Sequence, residues 1–310
     1  MGISSRQRMI ALLRKLATTE GYTLTSLPDV RLLRSDRPLG HTPVLYEPGI
    51  VVVAQGRKRG MLGNDVFVYD EQHYLVVSVP VPFTMETDAS SNKPLLAIYF
   101  RLDHAVAAEV CMQIDERLGV SHAPPRGLYS SLMEDALAES ILRLLEALAH
   151  PPDDEVLGPA LVREIYYRIL AGAQGGSMRA ALAQQGNFGM VGRAIRLIHR
   201  RYAEALGIDR LASEAAMSPP TFHAHFRAIT GTSPMRYVQS TRLHQARLLM
   251  LRHQLTASAA ASAVGYASAS QFSREFKRLF GRPPLEEVER MKRNFAMPVA
   301  HGQSEFVSSH

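Results

Sequence analysis

The chain has 310 residues, 46% of them hydrophobic and 21% charged, and a formal net charge of +6. That length favours two domains, and the apolar share with scattered Pro and Gly excludes a disordered chain. A single cysteine excludes an internal disulfide, and no apolar run nears the ~18 residues of a membrane-spanning helix.

The first residues carry no signal-peptide core, because Arg14 and Lys15 interrupt the apolar run. They also miss the myristoylation pattern, with Arg6 where Ser or Thr is needed, so a cytoplasmic location is expected. Residues 3–19 predict an amphipathic helix, with Ile3, Ile10, Leu12, Leu13 and Leu16 set among Arg and Gln. Short runs rich in Val, Leu and Tyr follow at 30–33, 44–46, 50–54, 58–62, 66–69, 74–79 and 95–101. Between them stand Pro48-Gly49, Gln55-Gly56, Gly63-Asn64-Asp65, Asp70-Glu71 and Pro80-Val81-Pro82. Turn signals roughly every 8–12 residues predict a small antiparallel barrel or a double-sheet jelly roll.

Helical periodicity then takes over at 103–118, 132–148 and 156–172. Gly175, Gly176 and Ser177 break it, and 176–186 reads as a linker. An all-helical domain spans 187–294, and 295–310 reads as a disordered tail. The predicted fold class is therefore two-domain α+β, with a strand-rich domain followed by helices at 1–175 and an all-helical domain from 187 on. Charge divides in the same place. Residues 187–294 hold 17 Lys+Arg against 7 Asp+Glu, and the remainder holds 18 against 22. A basic half joined to a slightly acidic one points to one half that meets a polyanion.

Within the basic half one pattern occurs twice. Ser218, Phe222, Phe226, Gly231 and Pro234 return as Ser268, Phe272, Phe276, Gly281 and Pro284, at a constant offset of 50. In each copy Ser is placed to cap a helix, two Phe four apart share one face, Gly stops the helix, and Pro opens the next. A shorter helical stretch precedes each copy, at 208–216 and 256–264. A short helix, a tight turn and a second helix with a buried Phe pair form the helix-turn-helix pattern.

These residues resemble a known family. The string Met217-Ser218, Thr230-Gly231, Pro234, Tyr237, Arg242-Leu243, then Val264-Gly265-Tyr266, Gln271-Phe272-Ser273-Arg274, Phe276-Lys277 and Phe280-Gly281 is similar to the DNA-binding domain of AraC/XylS-type transcription regulators. Leu45-Tyr46-Glu47-Pro48, Gln55-Gly56-Arg57-Lys58-Arg59, Leu62-Gly63 and 74–79 likewise resemble the cupin-like domain that heads one subgroup. The resemblance implies a double helix-turn-helix bound to promoter DNA, with a cupin-like half that senses a small-molecule effector and forms a homodimer. RNA polymerase is a further expected partner.

With the Phe pairs inward, the opposite faces carry Pro220, His223, Ala224 and Arg227, and Ser270, Gln271, Ser273, Arg274 and Lys277. Arg274 suits bidentate bonding to guanine, and Gln271 can read adenine or hold phosphate. Arg227 and Lys277 suit phosphates, and His223 is the best reader of the first copy. An effector cavity would be lined by Tyr46, Tyr69, Leu75, Val77, Phe83, Tyr99 and Arg101, unless these simply pack a core. No cofactor or metal is expected. His41 and His73 are the histidines of the strand region, and His223 and His225 point ~200° apart on a helix. Cys111 reads either as a small buried hydrophobe or as a redox sensor. The competing functions are a cupin-type enzyme with an accessory basic domain and a nonspecific architectural DNA binder.

Overall fold

The computed structural model describes residues 4–63, 65–183 and 186–294. Helix α1 (Ser5–Leu16) opens the chain, fixed at its start by a reciprocal capping box between Ser4 and Gln7. Strands follow in order: β1 (Gly21–Leu24), β2 (Val30–Ser35), β3 (Leu39–Tyr46), β4 (Gly49–Gln55), β5 (Arg57–Leu62), β6 (Asp65–Asp70), β7 (His73–Val77), β8 (Val81–Asp88) and β9 (Leu95–Arg101). Helix α2 (His104–Leu118) and strand β10 (Leu128–Leu132) lead to α3 (Asp135–Leu148), α4 (Asp153–Ala171), α5 (Gly175–Leu182) and α6 (Gly186–Arg201).

The strands form an antiparallel half-barrel in the order β1-β2-β9-β4-β7-β6-β5-β8-β3, with β10 added beside β7. Strands β4, β7 and β9 lie between two cores. Val51, Val53, Leu75, Val77 and Tyr99 face the inner core, and Ile50, Val52, Val76, Ile98 and Phe100 face an outer core covered by α1 to α4. A strand buried on both faces reads as an unbroken apolar run, which is why 50–54 and 95–101 stand out in the sequence. β8 keeps water on one side and alternates, with Val81, Phe83, Met85 and Thr87 inward.

Three strands escape the sequence pattern. β1 is four residues beginning with Gly, β10 falls between the helical stretches read at 103–118 and 132–148, and β8 runs straight through Pro82. Pro82 is tolerated because β5 ends its pairing with β8 at Met61–Thr84, so at Pro82 only β3 lies alongside. The stretch expected as a linker contains α5, seated by buried Ser177, Met178 and Ala181 and by Arg179, which donates to the Leu170 carbonyl at 2.7 Å. The expected tail at 295–310 lies outside the described residues.

Cys111 sits in the outer core, where burial first and Asp115 second push its thiol up to about 11 against Arg179. Thiolate is scarce at neutral pH, so Cys111 packs as a small hydrophobe. Between α3 and α4, Glu164 accepts from Ser140 and Arg168 at 2.9 Å each, and Arg143 bonds its other oxygen. Burial alone would raise the Glu164 carboxyl, but Arg143, Ser140 and Arg168 hold it at about 2. Its folded pKa lies below the unfolded value, so this stability is present above about pH 4.5 and is lost as pH falls toward 2. The melting temperature is expected to drop across that window, and to drop less steeply in Glu164→Gln; equal slopes would remove Glu164 from the account.

Candidate nucleic-acid interface

Helices α7 (Ile208–Glu214) and α8 (Pro219–Thr230) make the first helix-turn-helix, and α10 (Ala257–Ala263) and α11 (Ala269–Phe280) make the second. Between them runs α9 (Pro234–His253), and α12 (Pro284–Asn294) follows. Phe222, Phe226, Phe272 and Phe276 are each 0% exposed, and the burial of 221–230 repeats position by position at 271–280. Gly231 and Gly281 stop the two helices at φ 69° and 77°, their amides donating to the Arg227 and Lys277 carbonyls at 2.8 Å.

The caps differ. Ser268 accepts from the Gln271 amide at 3.3 Å, as expected, whereas Ser218 pairs with the Thr221 hydroxyl at 2.8 Å and caps no amide. Pro219 and Pro220 have removed the first two N–H groups of α8, which leaves little to cap. The turns differ by one residue. The amide bonds of Ala215, Ala216 and Met217 recur at Val264, Gly265 and Tyr266, an offset of 49 rather than 50. Gly265 has φ 83°, and a Cβ there would stand 2.2 Å from the Ala203 carbonyl oxygen.

The spacer helix fixes the pair. Its 20 residues span ~30 Å, close to the ~34 Å between successive major-groove faces on one side of DNA. Arg242 on α9 donates to the carbonyls of Tyr202 and Glu204 at 2.7 Å each and of Gly265 at 3.4 Å, which ties the spacer to the α6–α7 connection and to the turn of the second motif.

All nine residues expected to face DNA are exposed: Pro220, His223, Ala224 and Arg227 on α8, and Ser270, Gln271, Ser273, Arg274 and Lys277 on α11. Arg227, Arg274 and Lys277 make no ion pair among the described residues. His225 turns instead toward Asn187, with Nε2 3.1 Å from its amide nitrogen. Sequence reasoning missed Glu275. It accepts from Tyr266 Oη at 2.7 Å and from Gln271 Nε2 at 3.1 Å, and so orients the Gln271 side chain. Burial would raise the Glu275 carboxyl, but bonds from Tyr266, Gln239 and Gln271 hold it low. The four-residue spacing of Gln271 and Glu275 is the signal that could have found it.

The two motifs are packed differently. Phe222, Phe226 and Tyr237 belong to the same continuous core as the half-barrel interior, whereas Phe272, Phe276 and Phe280 form a separate core with α9, α10 and α12. Tyr237 Oη donates to the Pro80 carbonyl at 2.7 Å and lies 2.8 Å from His199 Nε2. Burial pushes His199 down to about 3, so it is neutral and donates its Nε2 proton to that hydroxyl. The α8–α9 turn lies on the end of β5, where a Cβ at Gly231 would stand 2.5 Å from the Leu62 side chain. Arg247 is 1% exposed at the same junction; its Nη1 is 3.3 Å from Glu287, its Nη2 3.5 Å from the Pro43 carbonyl, and it stacks on Phe280 at 4.3 Å.

Of the expected effector residues, Tyr46, Tyr69, Leu75, Val77, Phe83 and Tyr99 come together in the inner core. Arg101 does not join them. Its Nε donates to Asp29 at 2.6 Å at the end of β9, where it is half exposed. Lys58 takes the inward position, which its place between exposed Arg57 and Arg59 makes legible. His41 meets Glu86 at 2.9 Å and His73 meets Asp70 at 3.1 Å, in separate places.

Residues 26–177 match the family described as AraC-type transcriptional regulator N-terminus, and residues 211–290 match a helix-turn-helix domain. The HTH-type transcriptional activator RhaS of Yersinia pestis (strain Pestoides F) is 29% identical over 175 residues, 54% of this chain and 63% of RhaS. The RCS-specific HTH-type transcriptional activator RclR of Escherichia coli K12 is 35% identical over 102 residues, 33% of this chain and 36% of RclR. The chain thus spans less than two thirds of these relatives. The crystal structure of unsaturated fatty acid bound ToxT from Vibrio cholerae has the same fold, with a TM-score of 0.58 at 11% identity over 87% of this chain and 97% of that one.

Proposed function

The chain belongs to the AraC-type transcriptional regulators, and on that premise we propose that it binds promoter DNA through both helix-turn-helix motifs and senses a small molecule in its half-barrel. The observation that carries this reading is the duplicated motif, with two exposed polar faces held apart by one rigid helix. Arg274 reads a guanine, Gln271 reads an adenine or holds a phosphate in an orientation set by Glu275, and His223 is the main reader of the first helix. Arg227 and Lys277 hold phosphates.

The effector acts by shifting how firmly the half-barrel holds α9 and the first motif, which requires unequal affinity for the held and released states. The contacts of Tyr237 with Pro80 and of Gly231 with Leu62 support that route. The N-terminal half forms a homodimer through α2 and α4, where Met112, Val156 and Tyr167 stay exposed. A cupin-type enzyme is set aside because the matched relatives are transcriptional activators and because His41 and His73 do not converge.

Fluorescence anisotropy with the chain's own promoter region and a scrambled duplex, at matched salt, tests the reading. Selectivity of ~10³-fold or more is expected of a regulator. Arg274→Ala should cost about 1–3 kcal/mol and relax discrimination at one base pair. Lys277→Ala should weaken every sequence alike and lower the salt slope by about 1. Equal affinity for promoter and scrambled DNA would make the chain an architectural binder and sink the reading.

A further inference from the structure

Lys58 is 2% exposed and projects from β5 into the half-barrel. Its Nζ donates to Tyr46 Oη at 3.1 Å and stands 5.8 and 6.0 Å from the ring centroids of Tyr46 and Tyr69. Among the described residues it makes no ion pair. Burying an ammonium without a counter-charge costs several kcal/mol, and Met would fill a similar volume without that cost. Core packing therefore gives no reason for a lysine here.

The surroundings are unusually polar for a core. Tyr46 Oη lies 3.4 Å from Tyr69 Oη and donates to the Met85 sulfur at 3.3 Å. Tyr22 and Tyr99 stand close enough to interact with Tyr46, burial above all keeps Tyr22, Tyr69 and Tyr99 protonated, and Tyr99 Oη donates to the Glu47 carbonyl at 3.3 Å. A second cation, Arg31 on β2, acts on Tyr22 and Tyr99, and its buried Nε has no hydrogen-bond partner. The buried Glu47 carboxylate also acts on Tyr22 and Tyr99, on the Arg31 side of this cluster, so Lys58, which has no ion pair among the described residues, is the cation that suits an anionic head group.

We propose that the half-barrel interior binds a small organic anion, with its carboxylate or phosphate head paired to Lys58 and its apolar part against Phe83 and Met85. This deepens the sensing reading and rests on it. A cleft of about 250 Å³ between β3, β8, α9 and α11 is lined in part by Phe83, whose ring packs edge-on against Tyr46 at 4.8 Å. Leu62, at the end of the Lys58 strand, touches the α8–α9 turn at Gly231, so a ligand that moves β5 bears directly on the first motif. Arg252 near the end of α9 also lies within the field of Glu47 and Arg31.

The test is a thermal-shift titration of the full chain with sodium hexanoate, 1-hexanol and inorganic phosphate, on wild type, Lys58→Met and Lys58→Arg. Hexanoate is expected to raise the melting temperature saturably in wild type, and hexanol at equal concentration to leave it unchanged. A shift with phosphate alone would identify a phosphate head instead of a carboxylate. Unliganded Lys58→Met should melt no lower than wild type, yet need at least tenfold more anion for the same shift, with partial recovery in Lys58→Arg. If Lys58→Met does not fold, Lys58→Gln carries the same comparison.

Three results would overturn the anion site: an undiminished shift in the neutral variants, an equal shift with hexanol, or no wild-type shift with either anion. An equal shift with hexanol would still leave a ligand-binding barrel. The sensing reading fails separately, if compounds that stabilise the chain leave its promoter affinity unchanged.

Discussion

Glu287→Ala is expected to destabilise the full chain by about 3–5 kcal/mol, the cost of leaving a buried charge without its partner. Glu287 and Arg247 are both 1% exposed, and Arg247 is wedged between the Phe280 ring and the half-barrel. Burial first, opposed by Glu287, brings the Arg247 guanidinium down to about 10, a sign of how completely water is excluded. The reverse change, Arg247→Ala, should cost less, because Glu287 keeps two bonds of 2.9 Å from Arg290, which reaches the surface. An apolar double replacement, Arg247→Met with Glu287→Leu, should recover most of the loss. Urea denaturation of the three variants checks the order. If Glu287→Ala melts like wild type, the pair is hydrated in solution and the junction is looser than described.

Phe226→Ala and Phe276→Ala delete equivalent side chains of the repeat, each at a cost of about 3–5 kcal/mol. Their consequences should nevertheless differ. Phe226 packs at 5.3 Å from both Phe222 and Tyr237, in the core that continues into the half-barrel. Its loss should lower one shared transition and loosen the half-barrel along with the first motif. Phe276 packs at 5.4 Å from Phe272 and 4.4 Å from Phe280 in the separate core. Its loss should split melting into two steps, with the second motif going first and the sheet signal keeping its original midpoint. Circular dichroism followed at helix and sheet wavelengths distinguishes the cases; a single transition in both variants would refute two cores of unequal coupling.

What the amino-acid order discloses depends on whether a feature is local. The Phe pairs, the glycine stops and the strands at 50–54 and 95–101 each leave a period, a spacing or an apolar run, and all are found where expected. β8 was hidden because Pro82 is forbidden only inside a doubly paired stretch, and where β5 ends is not written near Pro82. α5 was hidden because glycines mask a helix whose support comes from α4 and Asp115. Among the site residues, exposure on α8 and α11 follows from helical period alone. Arg101 and Lys58 exchange roles because Asp29, distant in sequence, claims the arginine.

The two outward faces of the repeat are unequal: one offers Pro220 and Ala224 where the other offers Ser270 and Arg274. Both motifs also sit on one chain in head-to-tail order rather than across a twofold axis. On the proposed reading, a single molecule laid along DNA has polarity, with a discriminating end and a permissive one. The stretch each molecule covers is then a directional word, so inverting that word presents the half-barrel on the other side and is a different instruction.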